Sequence, residues 1–209
     1  MLNIAAFALR GFLVSCLDFI LKYENVVDAN KNFKVVLSAI VLALSVVLAK
    51  QQVIGSPPPE TSFFSFAGAF GLIVSAIAIL AIFVNKIPRV GVIAADALAS
   101  VFYLAGAIAL TVALKSVSSC TSSSDIARNE RYHNKLLNGG CRNVQGGIYC
   151  PNAGSSNDAN HIDSYTSGRC QQVQADYVFG YIAFVFGVAS AIITLLNYKR
   201  GGTTTATYV

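Results

Sequence analysis

The chain has 209 residues, of which 55% are hydrophobic and 12% charged, with a formal net charge of +5. Soluble domains carry roughly 25% charged residues, so this composition excludes an ordinary water-soluble domain and points to a bilayer. The small positive excess is scattered and never interleaved with aromatics, which excludes nucleic acid as a partner.

Met1–Leu21 is apolar but interrupted by Arg10 and Asp18. No Lys or Arg precedes Arg10 and no small-x-small cleavage site follows, so the segment does not read as a signal peptide. Three readings stand for residues 1–34: an interfacial helix, part of an extra span, or an insertion. The first strong apolar run, Val35–Ala49, has only 15 residues, below the ~17 that a spanning helix needs. It must borrow Phe33 or reach past Lys50. Removing Val14–Lys34 would join Leu13 to Val35 and restore an apolar run bounded by Arg10 and Lys50. The segment therefore also reads as a translated intron retained in the gene.

Three further runs follow: Phe63–Val84, Val90–Leu114 and Tyr177–Leu196. A helix crosses a hydrocarbon core of ~30 Å with about 20 apolar residues, so the expectation is four spans. Lys86 and Arg89 lie in the short link between spans two and three, and Lys199 and Arg200 follow span four. Lys22, Lys31 and Lys34 precede span one. The positive-inside rule puts these places, and both termini, in the cytosol. Lys50–Ser62, with its three prolines, and the polar loop 116–175 then lie outside. The expected organisation is an irregular segment 1–34, a four-span domain 35–198 and a cytosolic tail 199–209.

Cys120, Cys141, Cys150 and Cys170 all fall in the loop placed outside, where disulfides persist. Four cysteines allow three pairings. Cys120–Cys170, cinching the loop near the membrane, with Cys141–Cys150, closing a small turn, is the favoured one. Chain-entropy loss would contribute roughly 4 kcal/mol for the longer closure and roughly 2.7 for the shorter. No CxxC pair supports zinc. His133 and His161 read as solvated loop residues, and HExxH, GxSxG and GxxxxGK[ST] are absent, so no catalytic or cofactor site is expected.

Inside the spans, Asp96 is the acid deepest in a strong apolar run, about 10 Å from Arg89 along a helix. Intramembrane charges face the bundle interior and find partners, and Arg10 at the cytosolic end of span one is the expected one. The structural reading, a pair that fixes helix register, outweighs a proton or cation site. Small residues recur every four positions: Ala67, Gly71 and Ser75 in span two, Gly91, Ala95 and Ala99 in span three, and Ala183, Gly187 and Ala191 in span four. Such faces allow close helix approach and lateral self-association. Aromatic residues gather at span ends, where they anchor at the interface.

The arrangement resembles the MARVEL tetraspan fold, and locally the fungal non-classical export protein family. The resemblance rests on Ala8-Leu9-Arg10-Gly11, on Ala95–Ala99 followed by Phe102–Gly106, and most specifically on Gly168-Arg169-Cys170-Gln171-Gln172-Val173-Gln174-Ala175. It covers most of the chain except Val14–Lys34 and the middle of the loop. It implies an all-α, four-helix transmembrane bundle with a disulfide-bonded extracellular loop between helices 3 and 4. It further implies a non-enzymatic plasma-membrane protein that organises sterol- and sphingolipid-linked microdomains. Its partners would be those lipids, other copies or membrane proteins, and a cytosolic eisosome scaffold, with a link to non-classical export. Two alternatives are a small transporter or channel using Asp96 and a tetraspanin-like trafficking adaptor. The loop lacks the Cys-Cys-Gly expected of the latter.

Overall fold

The computed structural model describes residues 26–83, 89–144, 147–149 and 159–199. Helix α1 spans Val26–Lys50, α2 Pro59–Phe83, α3 Arg89–Leu114, α4 Asp125–His133 and α5 Ala159–Lys199. Strands β1 (Arg142–Val144) and β2 (Gly147–Tyr149) form a small antiparallel hairpin between α4 and α5. Among the described residues, α1, α2, α3 and α5 each contain a stretch long and apolar enough to cross a membrane.

Each boundary has a local cause. α2 opens on Pro59, whose fixed φ suits the first helical position and whose missing N–H is no loss there. Thr61 closes that turn by donating its hydroxyl to the Pro58 carbonyl at 2.8 Å. Ser124 caps α4 by accepting from the Ala127 N–H. In α1 the apolar stretch runs from Phe33 to Lys50, 18 residues, so the first span takes in Phe33 and Lys34.

Helix α5 differs most from the sequence expectation. It has 41 residues, about 60 Å or twice the ~30 Å hydrocarbon core. The span read from sequence, Tyr177–Leu196, is only its second half, and part of the polar loop continues the same helix outward. Thr166, Arg169, Cys170, Val173 and Asp176 are buried, at positions i, i+3, i+4, i+7 and i+10. That is the spacing of one helix face, and the face packs against α1 and the loop.

The helices form a four-membered ring, with α1 packing on α2 and α5, and α3 packing on α2 and α5. One diagonal, α2 to α5, is crossed by an aromatic knob. Phe64 is fully buried, and a Cβ on Gly106 or Gly180 would lie 2.2 or 2.4 Å from its ring. Only glycine leaves that slot open. The other diagonal, α1 to α3, is crossed by polar bonds. The exposed surface of the spans is apolar, including Val47, Ile73, Leu80, Val101, Ile108, Val112 and Val185, as a lipid-facing surface requires.

Candidate functional site

Polar side chains line the inside of the ring at two levels. At the level far from the disulfide-bonded loop, Lys34 Nζ donates to Asp96 Oδ2 at 2.8 Å. Tyr103 donates its hydroxyl to Ser38 Oγ at 2.7 Å, and Ser38 donates to the Lys34 carbonyl at 2.8 Å. Ser100 donates back to the Asp96 carbonyl. These groups border a cavity of about 20 Å³, together with Gly71, Ser75 and Gly187. That is room for one water molecule. Glycine is required at two walls: a Cβ on Gly71 would meet the Tyr103 oxygen at 1.7 Å, and one on Gly187 the Ser100 oxygen at 2.2 Å.

The second level lies toward the loop. Ser45 Oγ donates to Asp176 Oδ2 at 2.6 Å across the α1–α5 interface. Two turns further out, the buried Arg169 guanidinium donates to the Gln51 and Leu136 carbonyls at 2.9 Å and to the Leu48 carbonyl at 3.4 Å. Its plane also lies over the Tyr165 ring, 5.9 Å from the centroid. A cation at a helix C-terminus satisfies orphan carbonyls and opposes the negative end of the dipole. Arg169 thus caps α1 and holds the loop against it. The adjacent Cys170 is bonded to Cys120, and Ser167 donates to the Cys120 carbonyl at 2.7 Å.

The loop has its own buried cation. Arg131 donates to the Ser119 and Ser122 carbonyls at 2.7 and 2.8 Å and pairs with Asp163, which Arg128 also approaches. The loop meets the α1–α2 link where the Val53 N–H donates to the Gly139 carbonyl at 2.8 Å. Gly140, at φ +95°, packs against the Ile54 carbonyl so closely that a Cβ would lie 2.1 Å away. Glu130 accepts from the Ser118 N–H at 2.7 Å, and its bonding to Ser118 holds its carboxyl below the usual glutamate range.

The residues singled out in the sequence are placed as follows. Cys120 and Cys170 are joined. Cys141 is disulfide-bonded, and Cys150 lies outside the described residues. Asp96 is paired, and its partner within the described residues is Lys34; Arg10, the expected partner, lies outside them. Of the small-residue faces, Ala67, Gly71, Ser75, Ala99, Ala183 and Gly187 are buried. Ala95 and Ala191 are half-buried, and Gly91, at the start of α3, is exposed. Lys34, Arg131, Arg169 and Asp176 were not given these roles by sequence reasoning. The sequence signal for the last two was the helical spacing of Thr166, Arg169, Cys170, Val173 and Asp176 ahead of Tyr177, mostly polar residues in a segment of loop-like composition.

The polar side chains of the spans pair with one another across the bundle. Among the described residues no group of three His, Cys, Asp or Glu side chains could hold a metal ion. Between the two polar levels, Val41, Phe64 and Leu110 are fully buried and close the interior. Compared with known protein families, residues 30–193 match MARVEL, described as a membrane-associating domain. No curated protein and no solved structure matches the chain.

Proposed function

The chain belongs to the MARVEL family of membrane-associating proteins, and from that premise we propose that it is a non-enzymatic organiser of plasma-membrane microdomains. Its spans partition into sterol- and sphingolipid-rich lipid and associate laterally with other copies or other membrane proteins. Both termini face the cytosol, where short segments contact an eisosome-type scaffold, with a role in non-classical export. The observation that carries this reading is the division of the spans into a polar interior and an apolar exterior. Within the bundle Lys34 pairs with Asp96, Tyr103 bonds Ser38, and one carboxylate oxygen of Asp176 accepts from Ser45. Facing outward, Phe66 is half-exposed and gathers with Phe70 and Phe102, ring centroids 5.3–6.1 Å apart. That surface offers lipid a rigid aromatic face and no chemistry.

The cavity beside Asp96 is the one feature favouring a small transporter. It admits a single water, and the apolar layer of Val41, Phe64 and Leu110 separates it from Asp176. A transport path needs polar groups in series. In a flux assay, Asp96→Asn should leave ion or solute flux unchanged while lowering protein abundance.

Live-cell imaging of the tagged protein, before and after sphingolipid synthesis is blocked, tests the main reading. Static cortical patches that disperse on the block are expected. A uniform or internal signal, indifferent to the block, would overturn it in favour of trafficking or transport.

A further inference from the structure

Asp176 is fully buried. Its Oδ2 accepts from Ser45, but among the described residues its Oδ1 has no hydrogen-bond partner, and neither does the buried Oε1 of Gln172. Gln172 and Asp176 stand four residues apart on α5, so they share a helix face, one turn from each other. Two acceptor oxygens without donors, one of them on the buried carboxylate itself, leave a local deficit of positive charge and of hydrogen-bond donors. An isolated buried carboxylate is among the costliest groups a protein can hold, and it is retained only when paired or neutralised.

Among the described residues, the cations of these helices and their flanks are paired elsewhere or exposed. On α1, Lys34 pairs with Asp96 of α3, and Lys50 is exposed. On α5, Arg169 gives its terminal nitrogens to carbonyls and to Tyr165, and Asp163 pairs with Arg128 and Arg131. Lys115, just past α3, is exposed. The tyrosines of these helices engage other groups: Tyr103 bonds Ser38, and Tyr177 packs on Tyr181, whose hydroxyl meets Thr111. Among the described residues no ion pair reaches Asp176.

We propose that Asp176, with Ser45 and Gln172, forms a binding site for one small monovalent cation, an alkali ion or a proton, between α1 and α5. One carboxylate supplies one negative charge, which a single positive charge neutralises. The hydroxyl of Ser45 and the amide oxygen of Gln172 complete a set of hard oxygen donors. Divalent ions prefer more oxygens and more charge than this site holds. The site lies two turns from the Arg169 cap, so its occupancy couples ionic conditions on the loop side to the α1–α5 packing. This goes beyond the lipid-organising role and does not depend on it.

The test is thermal unfolding of the purified full chain in phosphatidylcholine nanodiscs at constant ionic strength. Lithium, sodium and potassium chlorides are compared with choline chloride at acidic, neutral and alkaline pH. A saturable rise of Tm with one alkali ion over choline identifies an alkali site. A Tm that falls as pH rises, with no preference among cations, identifies a proton site. In either case Asp176→Asn should abolish the dependence; Ser45→Ala should weaken alkali-ion binding roughly tenfold, whereas at a proton site it should tighten proton binding, because the Ser45 hydroxyl donates to the ionised carboxylate. Indifference of the wild type to both variables would overturn the proposal, and so would the same dependence surviving in Asp176→Asn. If Asp176→Asn does not fold, Ser45→Ala and Gln172→Met carry the test, and an unchanged dependence in both overturns it.

Discussion

Lys34 and Asp96 meet at 2.8 Å across the α1–α3 diagonal of the ring, 62 residues apart in sequence. Their side chains are 13% and 11% exposed, so little solvent screens the pair. Removing one partner leaves an uncompensated charge in the bundle, which costs about 3–5 kcal/mol in buried pairs. Replacing both with apolar residues of similar size costs far less. Lys34→Met and Asp96→Leu should each destabilise strongly, and the double substitution should recover most of the loss. Unfolding in detergent micelles reads the cycle, and additive single effects would show that the two charges are not coupled.

The glycine slot around Phe64 makes a steric prediction. A methyl at Gly180 would approach the Phe64 ring to 2.4 Å and the Ala107 Cβ of α3 to 3.2 Å, while on its other side the ring lies against Gly106. Gly180→Ala should cost about 1–3 kcal/mol, the range for overpacking. Phe64→Ala should cost about 3–5 kcal/mol through the cavity it leaves. Combining Gly180→Ala with Phe64→Leu should be less damaging than the sum of those two single effects, because the smaller side chain vacates the space the methyl takes. Thermal unfolding of the four variants checks this.

The four-span architecture was legible because a bilayer-crossing helix must be apolar for about 20 residues, and that requirement shows in the sequence whatever the neighbours are. Asp96 was legible for the same reason, as an acid in an apolar run. Its partner was not. Lys34 sits at the edge of a polar stretch, where a lysine reads as a flanking charge, and only the α1–α3 packing turns it inward. Arg169 and Asp176 were hidden differently. They lie in a segment whose composition is that of a loop, and their burial follows from α5 continuing beyond the span. Polar residues at helical spacing carry a weak signal, because periodicity is normally read from apolar ones. The Cys120–Cys170 pairing was legible, since only one choice ties the loop's two ends together at the membrane.

The identity of residues 14–34 has a testable consequence now that Lys34 has a partner. A chain lacking Val14–Lys34 would carry Arg10 four residues before Val35, where Lys31 now stands, one helical turn from the Lys34 position. The longer arginine would reach toward Asp96 from there. Sequencing of the transcript distinguishes the forms, and abundant message retaining these codons would establish the insertion as genuine. In a chain expressed without the segment, Arg10→Gln should then reproduce the instability of Lys34→Met in the longer one.

The loop carries a pH dependence of defined sign. Glu130 is held below the usual glutamate range by its bonding to Ser118. A carboxyl whose pKa is lower in the folded than in the unfolded chain adds stability above its unfolded value, and that stability is lost as pH falls through the lowered folded value. The site is exposed, so the effect is local: the contact between Ser118 and the end of α4 loosens in acid while the bundle stays folded. In an NMR titration the Ser118 amide should shift with a midpoint below that of glutamate in an unfolded peptide. Glu130→Gln should remove that transition, and a midpoint at or above the peptide value would contradict the assigned bond.

Arg169 and the disulfide act on the same junction by different means, so their losses should differ in kind. Arg169→Lys keeps the charge but cannot reach the carbonyls of Leu48, Gln51 and Leu136 with one ammonium as a planar fork does. Hydrogen bonds from a charged donor contribute about 1.5–3 kcal/mol each and do not add fully, so a loss of about 2–4 kcal/mol is expected. It should appear as faster amide exchange at the end of α1 and in the loop around Leu136, because both are tied to the one guanidinium. Replacing Cys120 and Cys170 with alanine removes a constraint on the unfolded chain, with a sequence separation of 50, worth about 4 kcal/mol in the entropic view. That loss should lower global stability while the α1 end keeps its exchange protection, since Arg169 still caps it. Equal loss of protection at the α1 end in both variants would show instead that the disulfide positions the arginine.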